Sequence, residues 1–254
     1  MNDSFRLLAF NPYDDISSGE DTDKNEKEFI VQMFGINEEG ETASIFVIGY
    51  TPFFYVKIGE NWNESDKKTF VSQMIEDMGK YHANAIVSTQ IIARKKLYGF
   101  DGGKEHKFLL IKFKNEASMR KAKSLWYLSS TSRTGEYTRI LYPGGYEFNG
   151  EGTELYEAQI PPLLRMFHIK EMSPSGWIAM PRTKTLKHKQ KTTSCTYEFT
   201  IDYKHILPLP DKEAAVPYKI CSFDIEASSS HGDFPLPKKN YNKLAGNIVD
   251  VWEN

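Results

Sequence analysis

The order of strand and helix patterns between residues 53 and 142 constrains the fold of this chain more than any other feature of the sequence. Apolar residues recur at helical spacing in two segments, and other segments have the composition and alternation of strands. The predicted order is strand 53–58, helix 65–80, strand 85–93, strand 106–113, helix 115–128 and strand 139–142. This βαββαβ order is the split βαβ, or ferredoxin-like, arrangement.

The same order of elements underlies RNA-recognition modules, in which aromatic side chains of the sheet stack on bases. The strand segment 108–113, Phe-Leu-Leu-Ile-Lys-Phe, does not match the signature of those modules. Because a fold does not by itself give a function, we favour a structural role for this module over direct reading of RNA.

Strand patterns also flank the module on both sides. They precede it at residues 4–10, 29–36 and 43–49, and they follow it at 177–180 and 196–206. Five short antiparallel strands are typical of an OB-like barrel. We therefore predict an α+β fold in which an OB-like β-barrel contains an inserted ferredoxin-like (RNA-recognition-like) βαββαβ module. Strands 4–10 and 196–206 should then lie in one sheet.

A connector with three prolines between residues 208 and 217 marks the best domain boundary. We predict a first domain over residues 1–210 and a second over 211–254. The second would hold one strand, one loop and a helix over 241–252. Such a set cannot bury a core alone, so we expect it to be the incomplete start of a larger domain.

Two carboxylates, two residues apart, follow an apolar run in this second domain. Asp224 and Glu226 lie in the segment 220–227, Ile-Cys-Ser-Phe-Asp-Ile-Glu-Ala, which we predict to be a strand. A strand places residues i and i+2 on one face, so both acids would point the same way while Phe223 and Ile225 face a core. Paired oxygen ligands on a rigid strand can hold a hard cation such as Mg²⁺. A capping or hairpin carboxylate is the alternative interpretation.

A run of basic residues near the end of the first domain is the candidate surface for nucleic acid. Its members are Arg182, Lys184, Lys187, Lys189 and Lys191, with no acid among them. Such a run can contact phosphate, but it can equally be a solvated hairpin tip. The formal net charge of the whole chain is −2, so any surface that binds nucleic acid must be local.

Cysteine content and hydropathy favour a reduced intracellular protein. Cys195 and Cys221 are the two cysteines, and neither has the spacing of metal ligands. No apolar run approaches the roughly 20 residues of a membrane span, so we expect no membrane partner. The first residues lack the basic and apolar regions of a secretory signal.

Several segments together resemble family B DNA polymerases, and the most specific lies at residues 220–237. It contains Phe-Asp-Ile-Glu at 223–226, followed by His-Gly-Asp-Phe-Pro-x-Pro at 231–237, which resembles the first exonuclease motif of that family. The similarity is greatest to delta-type catalytic subunits, including those of large double-stranded DNA viruses. Residues 49–56, 96–100 and 160–167 resemble further motifs of the family, in the right order.

The resemblance implies a fold and a set of roles. The first domain would be the N-terminal domain of such a polymerase, with OB-like and RNA-recognition-like parts, and the second the truncated start of an RNase H-like 3′–5′ proofreading exonuclease. Asp224 and Glu226 would be catalytic ligands of two Mg²⁺ or Mn²⁺ ions, which activate the attacking water and stabilise the leaving 3′ oxygen. Phe234 would pack near the terminal nucleotide, although a core role is equally compatible.

The resemblance also implies the partners and the limits of this chain. The expected partners are a DNA primer–template and, through the full-length protein, a sliding clamp and accessory subunits, in the nucleus or a viral replication compartment. The later exonuclease motifs and the polymerase palm lie outside these 254 residues, so we expect this piece alone to be inactive. A stand-alone protein that binds single-stranded nucleic acid and a non-catalytic structural platform remain alternatives.

Overall fold

A computed structural model gives the fold and describes residues 2–16, 27–96, 99, 101–131, 137–224 and 241–253. The helices are α1 Glu64–Met78, α2 Glu116–Lys123, α3 Pro162–Lys170 and α4 Asn242–Glu253, with short 3₁₀ turns at Lys80–His82, Ser124–Trp126, Arg182–Lys184 and Tyr203–His205. The strands are β1 Asn2–Ile16, β2 Lys27–Ile36, β3 Thr42–Ile48, β4 Phe53–Lys57, β5 Ile86–Lys95, β6 Glu105–Phe113, β7 Tyr127–Thr131, β8 Tyr137–Leu141, β9 Tyr146–Phe148, β10 Glu151–Tyr156, β11 Trp177–Pro181, β12 Thr185–Lys187, β13 Tyr197–Asp202 and β14 Leu207–Leu209. None of the helices in the described ranges has the length and apolar character that a membrane crossing requires.

The chain divides into two compact units, Met1–Pro217 and Tyr218–Asn254. The division falls beyond the proline-rich connector because the connector packs on the first unit. Val216 is buried with Ile36 and Trp177, and the indole N–H of Trp177 donates to the carbonyl oxygen of Ala214 at 3.1 Å. The second unit contains α4, close to the predicted helix.

Seven strands of the first unit form one sheet in the order β12-β13-β3-β2-β1-β11-β14. β13 runs parallel to β3, and the other neighbours are antiparallel. β1 and β13 therefore share a sheet, as an interrupted barrel requires. The register of β1 shifts between Leu7 and Ala9, near the point where its pairing changes from β11 to β2. A bulge of this kind bends a strand and increases its twist.

The connection between β11 and β12 requires this sheet to curl. β11 ends at Pro181 and β12 begins at Thr185, so the chain between them spans about 14 Å at most. In a flat sheet the two strands would lie about 24 Å apart, because five strand spacings of about 4.8 Å separate them. The sheet must therefore bend back toward its own edge, around a core to which α3 contributes Met166 and Phe167.

The five-stranded sheet, in the order β5-β6-β4-β10-β9, is built from the residues between the two halves of the larger sheet. α1 and α2 supply apolar side chains to the core on this sheet, as their spacing predicts. The buried members include Phe54, Val56, Phe70, Met74, Leu109, Ile111, Phe113, Met119, Ala122 and Trp126.

The strand predicted at 139–142 does not complete this sheet. β8, which covers most of that segment, pairs with β7 in a two-stranded ribbon, and β10 takes the place beside β4. The reason is a buried polar group: the indole N–H of Trp126 donates to the carbonyl and hydroxyl oxygens of Thr153 at 3.0 and 3.1 Å. A buried indole N–H needs such a partner, and Thr153 belongs to β10. The exposed Leu128 and Ile140 form a cross-strand pair in the ribbon.

The larger sheet also fixes the start of α2. The carboxylate of Asp14, in β1, accepts hydrogen bonds from the amides of Glu116 and Ala117 at 2.9 and 2.8 Å. Asn115, the N-cap, accepts a hydrogen bond from the amide of Ser118 and donates one to the carbonyl oxygen of Lys27. These bonds satisfy amides that have no partner within the helix, and they join the two sheets.

We expect Asp14→Ala to lower the free energy of unfolding by about 1–2 kcal/mol, because two amides at the start of α2 lose a charged acceptor. Urea unfolding followed by circular dichroism measures the change. Asp15→Ala is the matched control, since the side chain of Asp15 accepts a bond from the amide of the adjacent Ile16. Equal losses in the two variants would contradict this account of α2.

Candidate functional site

The segment that carries Asp224 is not a strand in its described part. Residues 218–224 have no regular secondary structure, and Ile220 and Phe223 are 88% and 81% exposed. Over residues 220–224 the predicted strand is not formed, and the predicted core position of Phe223 is wrong. The rest of the predicted strand, 225–227, lies outside the described residues. A strand needs a neighbour for its N–H and C=O groups, and the described residues of this unit contribute one helix and no strand.

Asp224 is exposed, while Ile225, Glu226 and Phe234 lie outside the described residues. Within the ranges that the structure describes, no group of three or more His, Cys, Asp or Glu side chains is placed to hold a metal ion. Mg²⁺ takes six oxygen ligands, several of them often water. The described part of the chain supplies one of the predicted carboxylates and does not assemble a metal centre.

The basic run lies at the β12 edge of the seven-stranded sheet. Arg182 and Lys184 belong to the 3₁₀ turn before β12, Lys187 ends that strand, and Lys189 and Lys191 lie in the loop that leads to β13. All five residues are exposed. The structure therefore presents the candidate phosphate contacts on one edge strand and its hairpin loop.

Three members of the basic run already have partners within the protein. The Nη2 and Nε atoms of Arg182 lie 2.7 and 2.9 Å from one carboxylate oxygen of Asp3, and this hydrogen bonding raises the pKa of Arg182. The ammonium group of Lys187 lies 4.2 Å from the centre of the Tyr197 ring. Lys191 donates to the carbonyl oxygens of residues 195 and 196 at 2.7 and 3.3 Å. Any contact with phosphate must compete with these interactions.

A buried carboxylate organises the loop that carries Lys189 and Lys191. Glu198 is 2% exposed, and its carboxylate accepts hydrogen bonds from the amides of Thr192 and Thr193 at 3.0 and 3.1 Å. Both threonine hydroxyls also donate to it. Sequence analysis missed this residue. The available signal was an acid within the strand pattern 196–206 that follows two adjacent threonines.

Comparison with known proteins relates these features to a family. Residues 153–244 match the model of the DNA polymerase family B exonuclease domain. The DNA polymerase of Phaeocystis pouchetii virus is 48% identical over 256 residues, which covers 98% of this chain and 24% of the viral protein. The DNA polymerase delta catalytic subunit of Schizosaccharomyces pombe is 26% identical over 213 residues, which covers 82% of this chain and 18% of that subunit.

Among solved structures, the family B DNA polymerase of the hyperthermophilic archaeon Pyrobaculum calidifontis is similar to this chain. The TM-score is 0.46 at 16% sequence identity, and the match covers 82% of this chain and 21% of that chain. The chain thus spans about a quarter, or less, of each protein compared with it here. The match to the exonuclease domain begins within the first unit and includes Asp224, Glu226 and Phe234.

We expect Glu198→Gln to lower the free energy of unfolding by about 2 kcal/mol, because the amide nitrogen of glutamine cannot accept the bonds that the carboxylate receives. Urea unfolding measures the loss of stability, and the amide resonances of Thr192 and Thr193 report changes in the conformation of the loop. Glu154→Gln is the control, since Glu154 is an exposed acid 3.5 Å from Lys57 and should cost under about 1 kcal/mol. A Glu198→Gln variant as stable as this control would refute the role of the carboxylate.

Proposed function

We propose that this chain, which is related to family B DNA polymerases, forms the amino-terminal part of a replicative DNA-directed DNA polymerase that also has 3′–5′ proofreading exonuclease activity. The resemblance to this family predicted from the sequence is confirmed. The observation that carries the proposal is the match of residues 153–244 to the exonuclease domain, because the matched region includes the Phe-Asp-Ile-Glu motif at 223–226.

Asp224 and Glu226 are the proposed metal ligands and catalytic carboxylates. Carboxylate oxygens are the donors that hard cations such as Mg²⁺ and Mn²⁺ prefer. When bound, two such ions supply an activated water and stabilise the leaving oxygen of an in-line displacement. The contribution of this chain is to carry two of the ligands two residues apart in one segment, and the remaining ligands come from other parts of the polymerase.

The proposed architecture follows from the two sheets of the first unit. The mixed α/β fold and the curl of the larger sheet support an OB-like barrel. The order β5-β6-β4-β10, with helices between its strands, supports a ferredoxin-like insertion whose fourth strand is β10 rather than the segment 139–142. A first domain over residues 1–210 and the start of an RNase H-like exonuclease over 211–254 complete the arrangement.

The proposed ligand of the whole polymerase is a DNA primer–template, in the nucleus or a viral replication compartment. Lys184 and Lys189 are the best-placed phosphate contacts, because both are exposed in the turn and loop at the β12 edge. Arg182, Lys187, Lys191 and Phe234 are weaker candidates. A clamp and accessory subunits would bind through the full-length protein. The alternatives, a stand-alone nucleic-acid-binding protein and a structural platform, do not account for the similarity to an exonuclease domain.

In the full-length polymerase, we expect Asp224→Ala with Glu226→Ala to lower 3′–5′ exonuclease activity by about 100-fold or more and to leave nucleotide addition intact, because two metal ligands are lost. Trimming of a labelled 3′ mismatch and primer extension measure the two activities. Asp211→Ala, an exposed acid of the connector, is the matched control. Full trimming by the double variant would disprove the metal role, and a wild-type protein with neither activity would overturn the proposed function.

For the 254-residue chain alone, we expect neither primer extension nor efficient trimming of single-stranded DNA in Mg²⁺ or Mn²⁺, because the described residues do not assemble a metal centre. Incubation with 5′-labelled DNA, followed by separation of the products on a gel, measures both activities. Robust trimming that disappears in Asp224→Ala would show that this piece already holds a complete exonuclease site.

A further inference from the structure

A cleft of about 750 Å³ lies between the start of β1, the turn from β2 to β3 and the β12 edge of the larger sheet. It is distinct from the segment that carries Asp224. Phe5, Tyr197 and Phe199 are among its lining residues, with ring centroids 5.8–6.4 Å apart. Phe5 and Phe199 are buried in the core, so the half-buried Tyr197 presents most of the aromatic surface. The proposed polymerase and exonuclease activities assign no ligand to this cleft.

One wall of the cleft is a strand edge. Residues 2–6 of β1 pair with β11 on one side, whereas pairing with β2 on the other side begins at Arg6, opposite Ile36. Residues 2–5 therefore extend past the end of β2. In an antiparallel strand the N–H and C=O groups point alternately to the two sides, so part of the backbone of residues 2–5 is directed away from β11. Such an edge is a template for an added extended strand.

The charged residues that line the cleft indicate what kind of added strand it favours. Four carboxylates line it and two cationic side chains oppose them. The acids are Asp3, Glu38, Glu39 and Glu41, and the bases are Arg182 and Lys187. Arg182 is paired with Asp3, Glu38 is paired at 2.6 Å with Lys212, which does not line the cleft, and Lys187 lies over Tyr197. Glu39 and Glu41 therefore carry the excess of negative charge. The excess of negative charge disfavours a nucleic-acid phosphate and favours a cationic ligand.

We propose that this cleft binds an extended peptide segment of a partner protein, in which basic and apolar residues alternate, by strand addition to residues 2–5 of β1. The alternation follows from strand geometry, because successive side chains of the added strand point to opposite faces. Basic side chains meet the carboxylates of Glu39 and Glu41, and apolar side chains meet the half-buried ring of Tyr197. The acidic stretch 20–26 of this chain has the wrong charge to be the occupant.

Titration of the ¹⁵N-labelled 254-residue chain with a blocked seven-residue peptide of alternating lysine and valine tests the proposal. Amide resonances of residues 3–5 and 39–41 should shift, and hydrogen exchange at Ser4 should slow, because the alternation of β1 directs this amide away from β11. Glu39→Lys should raise the Kd about tenfold, because one of the attracting charges is reversed. Glu76→Lys, on the exposed face of α1, is the matched control and should leave the Kd unchanged.

Two further peptides distinguish binding by electrostatic attraction from binding by strand addition. The same peptide with alternate backbone nitrogens methylated keeps its charges but loses hydrogen-bond donors, so it should not bind, and a glutamate–valine peptide should not bind either. Equal binding of the methylated peptide, an unchanged Kd in Glu39→Lys, or displacement of the peptide by single-stranded DNA would each overturn the proposal. The exonuclease assay of the full-length protein tests the proposed function separately.

Discussion

The short connection between β11 and β12 is the constraint on which the first unit depends. Three residues, 182–184, join strands that belong to distant positions of one sheet, so the sheet must curl. Asp3 meets Arg182 because β1 pairs with β11, with Asp3 opposite Met180, and their ion pair lies where the chain turns from β11 to β12. The curl adds β12 and β13 to this place, so residues of both strands line the acidic cleft beside the start of β1.

Buried polar groups, more than apolar patterns, decide which strands of the first unit are neighbours and how its two sheets are joined. Trp126 selects β10 as the neighbour of β4 by donating to Thr153, and Asp14 fixes the start of α2 from β1. Arg165, in α3, is largely buried, pairs with Glu157 and lies 4.7 Å from the centre of the Phe53 ring. A buried group without its partner costs about 1–3 kcal/mol, so each of these bonds disfavours other arrangements of the same strands.

Sequence patterns predict where the helices and strands of the first unit lie better than they predict which strands pair with one another. Helical spacing locates α1 and α2, and the strand patterns at 29–36 and 106–113 appear as β2 and β6. The segment 139–142 has an equally good strand pattern but forms a ribbon, because the pattern does not encode the indole bond of Trp126. The core position predicted for Phe223 is wrong for a related reason, since an apolar residue becomes buried only where a second element covers it. Glu198 was missed because its partners come from the preceding loop.

The residues of the basic run differ as candidate phosphate contacts, because some of them already have partners within the protein. If a phosphate displaces Asp3 from Arg182, one ion pair replaces another, and the net gain of such an exchange at an exposed site is below about 1 kcal/mol. The negative cleft beside Arg182 and Lys187 further weakens their attraction for phosphate. The exposed Lys184 and Lys189 are therefore the stronger candidates for contact with phosphate, and their contribution to the proposed DNA binding should fall as salt rises.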